Sequence, residues 1–394
     1  MPKQSTNVSG NPNGINFTAA GQTWEVLKGV SVTGAVQGVR SGFADSTLKN
    51  NGAISGGTGG VFFDAVGVAS NYVVKNGKKG TIEGNHFGIG LTRFDGSALV
   101  ENKGSVTGIT YGIYFSDYLG SARLVNRGDV EGAAYGVIAS GPNTKVENFG
   151  SIKGFYGGVL IALSGPPTSK ASIDNYGKIE SSQLGVYANT TTGSVVKIVN
   201  HKGATIEGAT QAVGSVEKLS LKNEGTIKGM VASGFFSDKV VNKGKIKSDA
   251  HLGAGDDVFK MKGDKAKAGM IDMGSGNDLV VLGEKADKLL FDSTLNAATN
   301  VDTVKKFQSG KDKFFLDDDI FTAITPGTLS SAAFHKGTAA ADPDDRIIYD
   351  KKTGALYYDP DGTGGAAQIQ FAKLDPGTKL EAGDFTIGEY TIVA

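Results

Sequence analysis

Two short segments of this chain hold the residues best suited to chemistry. SDAHLGAGDDVFKM (248–261) and MIDMGSGNDLVVLG (270–283) share the template Gly-x-Gly-x-Asp-x-apolar. It aligns Gly253, Gly255, Asp257 and Phe259 with Gly274, Gly276, Asp278 and Val280. Glycines let the main chain turn tightly and direct carbonyls inward, while the aspartate adds a charged oxygen. That is the donor set of Ca²⁺, a hard cation that takes six to eight oxygens at about 2.3–2.6 Å. Asp256 and Asn277, one place earlier, act as auxiliary ligands in this reading. Each turn supplies half a site, so the ion must lie between stacked turns. The alternative is a pair of Asp-containing β-turns without an ion.

Stacked turns need a stacked scaffold, and the preceding residues supply one. The pattern apolar–Asn–x–Gly–x–β-branched recurs as LKNNGAISG, VENKGSVTG, LVNRGDVEG, VENFGSIKG, IDNYGKIES, LKNEGTIKG and VVNKGKIKS, with looser copies between. Its marker asparagines are Asn50, Asn76, Asn102, Asn126, Asn148, Asn175, Asn200, Asn223 and Asn242, spaced by 24 residues on average. A period of that size signals a solenoid. A second β-rich stretch follows each marker (YGIYFS, YGVIAS, LGVYAN), and no segment sustains helical apolar spacing. The spacing predicts an all-β chain: a right-handed parallel β-helix with coils of about 24 residues, strand–turn–strand–turn, running into the glycine turns. The Asn residues then form an amide ladder inside the corner; a row of ligand-binding amides is the functional alternative. Tyr111, Tyr114, Tyr135, Tyr156 and Tyr187 recur in the second strand, either packed in the interior or on the flank, or offered as a sugar-stacking face.

The two glycine turns resemble the calcium-binding repeat of RTX (hemolysin-type) proteins, G-G-x-G-x-D-x-U-x. Leu252 and Met273 replace the first glycine, and the aspartates are 21 apart rather than at nonapeptide spacing. The segments VDTVKKFQSGKDKFFLDDDIF, RIIYDKKTGALYYDPDGTGGAAQIQFAKL and LEAGDFTI are similar to the C-terminal module of RTX proteins exported by type I machinery. The resemblance implies Ca²⁺ as cofactor, secretion to the cell surface or beyond, and an uncleaved export signal in GDFTIGEYTIVA. The start, MPKQSTNVSGNPNG, accordingly lacks the basic-then-apolar pattern of a cleaved leader. Asp359 and Asp361, in DPDGTG, form a candidate second calcium loop; Asp312 and Asp317–Asp319 read as surface charge. Ile347, Tyr349, Leu356 and Tyr358 alternate as a hairpin through KKTG. The expected organisation is a segment or cap at 1–28, β-helix repeats at 29–248, calcium-binding coils at 249–283, and a β-rich module at 284–394.

Composition narrows the function. The chain has 59 Gly and no Cys among 394 residues, so tight turns abound and neither disulfides nor thiolate chemistry are available. Residues 1–248 carry 24 Lys and Arg against 16 Asp and Glu, whereas residues 249–394 carry 16 against 24. The two halves are thus +8 and −8, with no overall pull toward nucleic acid, and no apolar run approaches the roughly 20 residues of a membrane-spanning insertion. No H-E-x-x-H, G-x-S-x-G or Gly-Lys-Ser/Thr phosphate loop occurs. His86, Arg93 and Asp95 are the one candidate catalytic trio of a polysaccharide lyase or epimerase. The expectation is therefore a non-enzymatic, calcium-dependent structural protein that associates with itself head to tail into a filament or surface layer. A polysaccharide-active enzyme and a glycan-binding adhesin are the alternatives, with cell-surface polysaccharide as a further partner.

Overall fold

The computed structural model describes residues 1–65, 70–116, 120–162, 169–189 and 194–391. It is an all-β, parallel β-solenoid with coils of about 24 residues and a β-rich C-terminal region. The chain divides into two compact units, Met1–Glu217 with Gly225–Gly229, and Lys218–Glu224 with Met230–Ala394. Among the described residues no helix is long and apolar enough to cross a membrane.

In the first unit the repeats fold into three strands rather than two, except the last, where Thr205–Ser215 runs as one strand beside both Lys178–Ser181 and Leu184–Ala188. Ser97–Asn102, Ser105–Gly108 and Tyr111–Ser116 make one coil, each alternating buried and outward side chains. The next coil repeats it in register: Val100 lies on Leu124, Val106 on Val130 and Ile113 on Val137. These stacked aliphatic columns are the core. The extra corner falls at the glycine ending the middle strand. A Cβ on Gly108 would sit 1.9 Å from the Tyr111 carbonyl oxygen, so this sharp bend favours glycine; one coil of the column, at Ser181, turns without it. Residues 1–28 supply a coil of their own, with Lys3–Gln4, Val8–Gly10 and Asn13–Asn16 paired in parallel to Thr23–Val26, Ser31–Gly34 and Gln37–Ser41. Tyr111, Tyr114, Tyr135 and Tyr187 are half-buried and Tyr156 is exposed, so they pack on the outer flank while Ile113, Phe115 and Val137 fill the interior.

The asparagine corner is a continuous amide ladder. Asn76 donates to Asn102, Asn102 to Asn126, Asn126 to Asn148, and Asn148 to Asn175, each Nδ2–Oδ1 distance being 2.9 Å. Asn126 Oδ1 also accepts from Gly128 N at 3.3 Å, which ties the rung to its own turn. In the second unit Asn223 donates to Asn242 at 2.8 Å, and the place after that is taken by Met261. Every rung is buried, so removing one breaks the ladder on both sides. Asn126→Ala leaves the Asn148 acceptor without the Asn126 donor and takes one acceptor from Asn102, whose Nδ2 keeps the carbonyls of Gly104 and Asp129. The expected cost is about 2–4 kcal/mol in urea unfolding.

The second unit keeps the parallel stacking. Lys239–Asn242, Val258–Met261, Leu279–Val281 and Asp302–Lys305 form one column of strands. Ala250–His251, Met270–Asp272, Lys288–Phe291, Lys313–Asp317 and Phe385–Gly388 form another. The stacking therefore runs past residue 283 into the tail. Ile347–Asp350 and Ala355–Tyr358 pair antiparallel across KKTG as the alternation predicts, and Ile369–Leu374 adds a third strand. Asp312 and Asp317 are not surface charge. They are 0% and 8% exposed, because each stands at a coil corner and accepts main-chain N–H groups there.

Candidate metal centre

The glycine turns stack as their spacing requires. Ala254 bridges Ser275 in parallel, Ser275 N donates to Gly253 O at 2.8 Å, and Gly255 N donates to Ser275 O at 2.9 Å. All four template glycines have positive φ, from 80° at Gly274 to 147° at Gly276. A Cβ on Gly274 would lie 1.7 Å from Gly253 O, and one on Gly276 2.0 Å from Gly255 O. The glycines are thus set both by backbone conformation and by the closeness of the coil beneath.

At the end of each turn the aspartates form a vertical ladder. Asp257 Oδ1 accepts from Asp238 N at 2.6 Å, and Asp278 Oδ1 accepts from Asp257 N at 2.7 Å. Asp302 Oδ1 accepts from Asp278 N at 3.2 Å, and Asp238 Oδ1 accepts from Leu219 N at 2.6 Å. The second oxygens of Asp238, Asp257 and Asp278 are buried with no hydrogen-bond partner. Four carboxyl groups are therefore stacked in a desolvated column, each with one oxygen held by the main chain.

Such a column resists charging. Burial raises the Asp257 pKa to about 8, and Asp238 and Asp278 to about 6, with repulsion from neighbouring carboxylates adding to it at Asp257 and Asp278. Burial, then the Asp278 charge, pushes Asp302 well up. Unfolding returns each group to an ordinary carboxyl, so the folded state holds more protons between about pH 4 and about pH 8. Without a divalent cation, stability is fully present at the acidic end and is lost as pH rises through that window. Urea midpoints in a chelator are expected to be higher at pH 5 than at pH 8; the opposite order would contradict a buried, uncompensated ladder.

The arrangement fits a hard cation better than a soft one. Among the described residues no three Asp, Glu, His or Cys side chains converge as a metal-binding group. An ion here would take one or two carboxylate oxygens and complete its shell with main-chain carbonyls. Asp256 and Asn277 do not face the buried column. They are exposed and form an outer row, Asp256 Oδ1 accepting from Asn277 N at 2.9 Å and Asn277 Oδ1 from Val301 N at 3.2 Å. Asp359 and Asp361 sit in a separate turn. Asp359 Oδ1 accepts from Asp361 N and Gly362 N, at 3.2 and 2.9 Å, in the manner of an Asx turn, whereas Asp361 Oδ1 is buried without a partner. The chain matches no family model and no curated protein.

Sequence reasoning missed Asp238 and Asp302. Their coils lack the double glycine: Gly234 is followed by Phe235 and Phe236, and Asp302 follows Asn300 and Val301. The usable signal was the interval, 19 residues before Asp257 and 24 after Asp278, with a β-branched pair just beyond each aspartate. A second aspartate corner was also missed. Asp287 Oδ2 accepts from Gly283 N at 2.9 Å and Asp312 Oδ1 from Asp287 N at 3.0 Å, while Asp384 accepts from Ser309 and Gly310. The suggested trio of His86, Arg93 and Asp95 does not assemble. His86 precedes the strand Phe87–Thr92 and Arg93 follows it, roughly 20 Å away at the rise of extended chain. Arg93 pairs instead with Asp64 at 3.5 Å, and His86 with the Thr110 hydroxyl at 2.9 Å.

Proposed function

We propose that this chain is a secreted, calcium-dependent structural protein of a bacterial surface or extracellular matrix, associating with itself head to tail. The observation that carries the reading is the row of buried, unpartnered carboxylate oxygens on Asp238, Asp257 and Asp278. Each Ca²⁺ would be held there, between coils, by one or two of these aspartates, Asp302 among them, together with carbonyls of the turns at Gly253–Gly255 and Gly274–Gly276. When bound, it supplies the positive charge that the column lacks. The chain's residues do the remaining work: each main-chain N–H orients one oxygen of the next aspartate, and the glycines let the turns stack closely. With no cysteine in the chain, a cation is the natural cross-coil staple, and its binding free energy becomes folding free energy.

Extracellular calcium sites bind at about 10⁻⁴–10⁻³ M. A chain with such sites stays slack in a low-calcium cytoplasm and sets after export. The resemblance of the tail to type I substrates supports that order of events; residues 392–394 of the suggested signal lie outside the described residues. Self-association is supported by the opposite charge of the two sequence halves, +8 and −8, since contact between unlike surfaces is heterologous and does not close. Negative-stain images and size-exclusion profiles in millimolar calcium and in chelator test the reading. Polymers are expected with calcium and smaller species without it. A strictly monomeric protein in calcium refutes assembly, and titration calorimetry without heat refutes the metal.

A further inference from the structure

The asparagine corner of the first unit carries a charge pattern that the ladder does not need. The turn residues flanking Asn76, Asn102 and Asn126 are Lys78, Lys79, Lys103 and Arg127, all exposed. They line one shallow hollow of about 600 Å³. Among the described residues none of the four has an acidic partner within ion-pair distance, and Asp129 is the one acid in the lining. Elsewhere on the same unit several cations are paired across coils, Lys75 with Glu101 at 3.2 Å, Arg123 with Glu147 at 2.7 Å and Lys153 with Glu131 at 3.4 Å. The hollow differs from those places in gathering four cations against one acid.

Its geometry is rigid and linear. The amide ladder fixes the turns one coil apart, about 4.8 Å, and the Arg127 guanidinium rests over the Phe149 ring at 4.7 Å. Beyond Arg127 the same turn position holds Phe149, Tyr176 and His201, whose rings stack with centroids 4.6 and 3.7 Å apart. We infer that this corner binds an acidic polysaccharide, a chain bearing a carboxylate or sulfate on successive sugars, along the row of cations. The lining excludes the main competitors. It holds no large apolar side chain, which a protein interface needs at its centre. The neighbouring rings cover one another's faces, which leaves no open platform for the bases of a single-stranded nucleic acid. What it offers besides charge is small and hydroxylated, with Thr81, Ser105 and Ser151 placed to hydrogen-bond to sugar hydroxyls.

The test uses the full chain in calcium-containing buffer and fluorescent oligogalacturonate and heparin oligosaccharides as probes. The wild type is expected to bind with an affinity that falls steeply with salt. Lys103→Glu/Arg127→Glu should lose at least about tenfold in affinity, a difference of about 1.4 kcal/mol. Lys170→Glu, an exposed charge reversal at the end of its strand away from the asparagine corner, should bind like the wild type. Matching circular dichroism and melting of the variants secures the comparison, and the milder Lys103→Gln/Arg127→Gln should fall between. Equal or tighter binding of single-stranded DNA of the same charge overturns the inference. So does no binding of either oligosaccharide, or a double variant that loses self-association while keeping its affinity for sugar. The result is independent of whether the aspartate corner takes calcium, which calorimetry reads separately.

Discussion

Asp257→Asn is expected to make the metal-free protein more stable and the calcium-loaded protein less so. The crossover follows from the ladder. Asp257 is 1% exposed, its Oδ1 accepts the Asp238 N–H, and its other oxygen has no partner. Asparagine keeps the first bond through its own carbonyl and replaces the second oxygen, which burial holds protonated at pH 7, by an amide that needs no proton from solvent. In chelator at pH 7 the variant should gain about 2 kcal/mol, the relief of the proton uptake that burial forces on Asp257 less the imperfect pairing of the new amide. In calcium at a hundredfold excess over Kd, the wild type should gain about 2.7 kcal/mol for each site from mass action, and the variant should lose the share of Asp257. Melting curves of both proteins, with and without calcium, should therefore cross. Parallel curves would mean that the aspartates are turn residues alone. Because protons compete for the same oxygens, acidification from pH 8 to pH 5 should also weaken wild-type calcium binding.

The largest structural effect belongs to Gly274. Its φ of 80° already costs a residue with a side chain about 1–2 kcal/mol. The new Cβ would also meet the Gly253 carbonyl oxygen at 1.7 Å, an atom of the coil beneath that cannot swing away. Gly274→Ala is expected to destabilise the second unit by about 4 kcal/mol or more and to abolish calcium binding by spreading the two turns. Gly263 supplies the control. Its φ is 83°, yet nothing lies within 4 Å of its would-be Cβ, so Gly263→Ala should cost about 1–2 kcal/mol and leave calcium binding intact. Similar losses at the two positions, measured by urea unfolding, would mean that backbone conformation alone and not coil stacking demands these glycines.

Much of the scaffold was legible because a solenoid repeats its instructions. The Asn-x-Gly marker at a mean of 24 residues located one corner of each coil, and the β-branched residue after each glycine located the strand that follows. The third strand of each coil was harder to see. YGIYFS and its equivalents read as one β-rich stretch, and the strand–turn–strand–turn expectation allowed each coil only one strand besides it. Only stacking distinguishes the two, since Val106 on Val130 and Ile113 on Val137 are separate columns. The site was half legible. Double glycine marked Asp257 and Asp278, but Asp238 and Asp302 lie in turns that hold their shape without it. Asp256 and Asn277 looked like ligands because charge and position along the chain do not tell which way a turn residue faces.

The order of residues alone determined that this chain must coil: a period of about 24, β-branched alternation and a polar marker at each corner leave no other way to bury the aliphatic residues. It also determined where two turns tight enough for a cation would fall. Tertiary structure decided which carboxylates lose their water. Asp312 in a run of charges and Asp256 beside Asp257 look alike in sequence, yet the first is enclosed and the second is exposed. Burial depends on what the next coil places above a residue, about one full repeat away along the chain. That distance in sequence, collapsed to one strand spacing in space, is why the ladder of four aspartates exists in the fold and is nowhere written as a contiguous motif.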